Sequence, residues 1–127
     1  DFFDFGPHAV DGVKFDAMFD RGSLVAIDPS MRDKYLEVMT KVVAPGARIL
    51  LCAMERQSAT DLEATKKGPP FSISEAMVRE MYGALDWVES IALLESEDTF
   101  VDNPDRKERY AGLDSLWEHI FVIQAKK

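Results

Sequence analysis

Apolar residues fall in short blocks along the chain, and the spacing within each block separates strands from helices. In "KFDAMFD", Phe15, Ala17 and Phe19 alternate against Met18. Both faces are apolar, which predicts a central parallel strand over 14–19. In "DPSMRDKYLEVMTKVVAPG", Met31, Tyr35, Val38, Met39 and Val42 recur at helical spacing. Ser30 is the expected cap, Asp33 lies near the positive end of the dipole, and Pro45-Gly46 is the expected stop. "ARILLCAM" (47–54) is a continuous apolar run of strand length. The sequence 55–71 is polar and reads as a loop carrying a short helix over 58–66. "SISEAMVREMYG" (72–83) predicts a helix with Met77, Val78, Met81 and Tyr82 inward and Gly83 as its stop. A strand follows over 85–97, with Trp87, Ile91 and Leu93 on one face. A second polar loop spans 95–112. The last block, 115–126, sets Leu116, Ile120 and Val122 against Trp117, Phe121 and Ile123. At the other end, "DFFDF" reads as the end of a strand and "GPHAVDG" (6–12) as a loop.

Strand, helix and strand in succession make a βαβ unit, parallel and right-handed. No helix separates the last two strands, so they are expected to pair as an antiparallel hairpin. The predicted architecture is an α/β sheet, mostly parallel, with one reversed strand at the C-terminus. In such sheets ligands sit at the carboxyl ends of the strands. The loops at that edge are 1–12, 20–30, 55–71 and 95–112, two of them longer than ordinary connections.

Composition narrows the function. The 127 residues make one domain or part of one, and 46% hydrophobic content is enough for a core. A net charge of −8 repels phosphate backbones, so nucleic acid is an unexpected partner. No apolar run is long enough to span a bilayer and no signal-peptide pattern is present, so no membrane partner is expected. A single cysteine fits a reducing compartment and a cytoplasmic location. Two histidines and one cysteine cannot form a tetrahedral metal site, so no metal is expected. His119 lies within a strand and reads as structural, His8 lies in a loop, and Cys52 reads as a buried inert thiol. There is no nucleophile elbow. The seven glycines never form G-x-G, so neither a dinucleotide fingerprint nor a P-loop is present.

Among charged residues Arg21 is the most informative. It follows Asp20 at a predicted strand end, and two readings fit. Either Asp20 and Arg21 neutralise each other locally, or the guanidinium holds an anionic ligand at the sheet edge. Arg106 and Arg109 lie in the second long loop, where a solvated charged face is the ordinary reading. "KKGPPF" (66–71) is stiffened by two prolines, as a lead-in to the next helix or as a pocket wall presenting Phe71. Phe2 and Phe3 pack in a core or offer a face to a planar ring.

Taken in order, these segments resemble the thiopurine S-methyltransferase family. "KFDAMFDRGSLVAIDPSMRDKY" resembles that family's FD…DRG…P…R…Y segment, "GARILLCAM" its next strand, "KKGPPFSIS" its GPPF loop, and "GLDSLWEHIFVI" its final strand. Phe19 stands where the family often has tryptophan. The resemblance covers essentially the whole chain. It implies a class I, Rossmann-like methyltransferase sheet, S-adenosyl-L-methionine as cofactor, and a thiol, thiopurine or related soft nucleophile as acceptor. It also implies residue roles. Asp1 and Phe2 are expected at the cofactor, Arg21 at both cofactor and acceptor, and Pro69, Pro70 and Phe71 at the acceptor. An arginine before the last strand belongs to the pattern, and both Arg106 and Arg109 fit.

By the same likeness, the family's first strands, its glycine turn and its ribose-binding acid are expected N-terminal to Asp1. The chain then reads as the C-terminal portion of one methyltransferase domain, inactive when isolated and monomeric when full length, with an apolar sheet flank exposed. Two rivals remain: a non-catalytic α/β binding module, and a halide/thiol methyltransferase sharing the fold and the GPP element.

Overall fold

The computed structural model describes residues 14–127; Asp1, Phe2, Phe3 and His8 lie outside the described residues. The chain runs β1 (Phe15–Asp20), two 3-10 turns (Leu24–Ala26 and Pro29–Met31), α1 (Arg32–Val42) and β2 (Val43–Gln57). It continues through α2 (Leu62–Thr65), α3 (Glu75–Gly83), β3 (Val88–Asp98), α4 (Thr99–Asp102), α5 (Arg106–Arg109) and β4 (Ser115–Ala125).

The strands form one sheet in the order β1-β2-β4-β3. β1 and β2 pair in parallel through the α1 crossover. β4 is antiparallel to both β2 and β3. Among the described residues three strands therefore share a direction and only the last is reversed, yet two of the three pairings are antiparallel. The expected mostly parallel sheet is corrected to this extent. The α3 crossover leaves a gap one strand wide between β2 and β3, and β4 fills it, bonding on both edges.

One face of the sheet carries the core. Ile49, Leu51 and Ala53 of β2 and Phe121 and Ile123 of β4 are fully buried, packed with Tyr35, Leu36 and Met39 of α1 and Val78 and Tyr82 of α3. Burial of this apolar area, at about 25 cal/mol per Å2, is the main term holding the layers together. On β4 the inward set is His119, Phe121, Ile123 and Ala125, so Ile120 and Val122 lie on the opposite face.

Several boundaries differ from expectation. Ser30 does not cap α1: the Asp28 carboxylate accepts from the Ser30 amide at 2.9 Å and hydroxyl at 2.7 Å, capping a 3-10 turn, and α1 follows Met31 with no side-chain cap. Pro45 and Gly46 lie within β2 instead of ending α1. α3 begins at Glu75, with Ser74 as its cap, and Met77 is 42% exposed rather than inward. Trp87 precedes β3 and Leu93 is exposed. The second polar loop contains α4 and α5. β1, expected in the centre, is an edge strand among the described residues, and Phe19 is 64% exposed on the face away from the helices.

Asp20 closes β1. It shares the core-facing side of the strand with Met18, two residues back, and is buried. One carboxylate oxygen accepts from the amides of Ser23 at 3.0 Å and Leu24 at 3.4 Å, capping the turn that follows. The other accepts from the Tyr35 hydroxyl, which lies 3.1 Å from that of Tyr82. Burial, together with neighbouring negative charge, raises the pKa of both phenols, so they stay protonated. This network ties β1, α1 and α3 to one carboxylate. Asp20→Ala should strand two amides and remove one acceptor from the buried Tyr35 hydroxyl, and cost about 2–4 kcal/mol of stability in urea denaturation of the full-length protein. A loss under about 0.5 kcal/mol, the range of an ordinary surface change, would contradict this role.

Candidate active site

Three loops meet at the carboxyl edge of the co-directional strands: the segment after β1, the long segment between β2 and α3, and the segment between β3 and β4. The topology expected from sequence brings them to one edge, and hydrogen bonds lock them together. The Phe71 amide donates to the Val25 carbonyl at 2.7 Å, joining the GPPF segment to the loop that carries Arg21. The Ile73 amide donates to the Met54 carbonyl at 2.7 Å, so this segment lies along β2 beyond the end of β1. The Ala59 amide donates to the Asp114 carboxylate at 2.7 Å, joining the second loop to the third.

Within the GPPF segment, the Gly68-Pro69 and Pro69-Pro70 peptide bonds are cis. The Phe71 ring folds back over Gly68 so closely that a Cβ there would stand 2.4 Å from it. Only glycine allows that approach. At Gly112, before β4, φ is +89° and a Cβ would stand 2.5 Å from the Asp61 carboxylate. These two glycines let the second and third loops close on each other and on Phe71.

Arg56, near the end of β2, organises this closure. It is 8% exposed and forms no salt bridge among the described residues. Its guanidinium donates to the carbonyls of Pro70 at 2.8 Å, Ala64 at 3.3 Å and Pro69 at 3.5 Å. The same group lies 5.3 Å from the centroid of the Tyr110 ring, a cation–π contact. Burial lowers its pKa and Tyr110 opposes that shift. Arg106 contacts the same ring at 5.9 Å. Through Tyr110 and Arg56, Arg106 is linked to the two proline carbonyls. Arg109 is exposed on the same short helix.

Arg21 is exposed and has no hydrogen-bond or ion-pair partner among the described residues. The local Asp20–Arg21 salt bridge is not formed, because the Asp20 carboxylate is turned inward. Arg21's charge still reaches Cys52 on the neighbouring strand. Burial raises the Cys52 pKa most, Glu118 adds to the rise, and Arg21 opposes it. The thiol is buried and stays protonated, as expected of an inert cysteine. Asp20 and Ser23, on either side of Arg21-Gly22, line a cleft of about 300 Å3 that also includes Phe19, Met18 and Tyr35.

His119 is held at both ring nitrogens, by Ser96 Oγ at 2.7 Å and by Glu55 Oε1 at 2.8 Å, and it stacks on Trp117. With both nitrogens engaged it bridges β3, β4 and β2, as the structural reading expects. Sequence reasoning missed Arg56 and Tyr110. Arg56 follows an apolar run and reads as the first turn of a loop, and nothing in the sequence marks Tyr110 as its partner. Arg56→Gln should leave two proline carbonyls without their donor. Hydrogen exchange at the Phe71 and Ile73 amides should then quicken by about tenfold or more. Unchanged exchange at both amides would remove Arg56 from this role.

A family model described as thiopurine S-methyltransferase matches residues 1–126. Among curated relatives, the thiopurine S-methyltransferase of Bos taurus is 34% identical over 114 residues, covering 89% of this chain and 41% of the relative. That of Nitrosospira multiformis is 34% identical over 126 residues, covering 99% of this chain and 52% of the relative. The chain thus spans about half the length of these relatives. Among solved structures, a SAM-dependent methyltransferase from Archaeoglobus fulgidus superposes with a TM-score of 0.58 at 9% identity, covering 98% of this chain and 65% of that one. Phosphoethanolamine N-methyltransferase 2 of Haemonchus contortus gives 0.60 at 13% identity, covering 89% and 34%. At such identities these structures establish the fold alone.

Proposed function

The chain belongs to the thiopurine S-methyltransferase family, and from that premise we propose that the whole protein moves a methyl group from S-adenosylmethionine to a thiol, thiopurine or related soft nucleophile. The observation that carries this reading is the commitment of Asp20 to Ser23, Leu24 and Tyr35, which leaves the neighbouring guanidinium of Arg21 without an internal partner.

When bound, S-adenosylmethionine supplies a methyl carbon attached to a cationic sulfur. The described residues supply two parts of such a site: an uncommitted cation at the carboxyl edge, suited to a carboxylate or thiolate, and a stiff apolar segment whose Phe71 amide bonds Val25 of the loop that carries Arg21. In this reading Arg21 faces the acceptor and the carboxylate of the cofactor. A guanidinium beside a thiol favours the thiolate, as any nearby cation lowers an acid's pKa. Pro69, Pro70 and Phe71 hold the acceptor's apolar body, and position carries much of the rate gain in a displacement that needs no covalent intermediate. Arg106, tied to the proline segment through Tyr110 and Arg56, is the arginine assigned to the acceptor side, and Arg109 stands beside it in solvent. Asp1 and Phe2 are assigned to the cofactor. The isolated 127 residues are proposed to be inactive.

Arg21→Ala in the full-length protein should lower kcat/KM for a thiol acceptor by about 100-fold. Its urea midpoint should stay unchanged, since the side chain is exposed and unpaired. Unchanged turnover with an intact fold would overturn the assignment. Calorimetry with S-adenosylhomocysteine supplies the second test: micromolar binding to the full-length protein and none to the 127-residue chain. Tight binding to the chain alone would contradict its proposed inactivity.

A further inference from the structure

Behind the GPPF segment, on the side of α1, lies a cleft of about 560 Å3. Its charged wall residues are three cations, Arg32, Arg56 and Lys66, and one acid, Glu55. The acid is already engaged: one Glu55 oxygen bonds His119 at 2.8 Å and the other accepts from Gln57 at 3.3 Å. Lys66 pairs with exposed Glu63. Arg56 is spent on carbonyls and on Tyr110.

Arg32 is left over. Its Nη2 donates to the Ser72 carbonyl at 3.2 Å, and its Nε is sealed from solvent with no partner. No carboxylate lies within salt-bridge distance of it among the described residues. A shielded donor without an acceptor is rare in folded proteins, and a bound water or ion is one way such a group is satisfied. Burial lowers the Arg32 pKa and the charge of Asp28 opposes that shift. The surplus of positive charge stands against a whole-chain charge of −8. Phe71 and Met77 add apolar surface to the same cleft.

We infer that this cleft is a binding site for a small organic anion, with a carboxylate or phosphate head on Arg32 and an apolar body against Phe71 and Met77. A planar two-oxygen head matches the outer edge of the guanidinium, Nη1 and Nη2. Because Arg32 also holds the Ser72 carbonyl, occupancy is felt at Phe71 and Ser72. The site shares Phe71 with the proposed acceptor wall, but its charged anchor, Arg32, has no part in the methyl-transfer reading, so loss of binding in Arg32→Gln tests this site alone.

Benzoate, phenyl phosphate and inorganic phosphate are the probes, titrated at low ionic strength into the full-length protein and followed by the Arg32 Nε–H resonance and the Ser72 amide. Saturable shifts are expected at both, and the tighter of benzoate and phenyl phosphate identifies the head group. Arg32→Gln should weaken binding about tenfold or more, Arg32→Lys less, and Arg48→Gln, at the far end of β2, not at all. Should Arg32→Gln fail to fold, the wild-type shifts decide alone. Absence of saturable shifts for all three probes up to about 10 mM, or affinity unchanged in a folded Arg32→Gln protein, overturns the site.

Discussion

The carboxylate of Asp20 decides what the end of β1 becomes. It is buried at the last position of β1, and it bonds two amides of the following turn and the hydroxyl of Tyr35. A buried charge is tolerated only when its hydrogen-bonding capacity is filled, and here backbone and phenol fill it. The consequence lies one residue on. Arg21 has lost its nearest counter-ion to the interior and emerges without a partner among the described residues. An acid and a base adjacent in sequence thus divide into a structural anion and an available cation.

Two arginines of the carboxyl edge follow the same logic of cations that meet no carboxylate among the described residues. Arg56 is satisfied by carbonyls and an aromatic face, which fix the proline segment without neutralising the charge. Arg32 is satisfied only in part. The reversed strand makes this possible. By inserting between β2 and β3 it brings the loop that ends in Tyr110 over the end of β2, where Arg56 and the proline segment sit. Edge chemistry and sheet topology are therefore one problem: a hairpin added outside β3 would leave Arg56 without Tyr110.

Much of this was legible. Helical spacing located the buried face of α1 at Tyr35, Val38, Met39 and Val42, to which Leu36 is added, while Met31, expected on the same face, falls in the preceding 3-10 turn and is half-buried. The βαβ order placed the loops at one edge, and the quoted segments pointed to the family that matches residues 1–126. Other features left no trace. Both faces of β4 are apolar, so alternation could not choose between Ile120-Val122 and Phe121-Ile123. Insertion of β4 is a non-local pairing that a linear pattern does not encode. α4 and α5, of four residues each, are too short for a period. The role of Asp20 was within reach: it lies two residues after Met18, and period-two alternation puts both on the core side. Adjacency to Arg21 drew attention to the wrong partner.

A double-mutant cycle on stability, Asp20→Asn with Arg21→Ala, tests the division of roles directly. The account predicts additivity within about 0.5 kcal/mol, because the two side chains do not interact, with nearly all the loss arising from Asp20. A coupling above about 1 kcal/mol would mean that the two form a pair after all, and that the guanidinium is not available to a ligand.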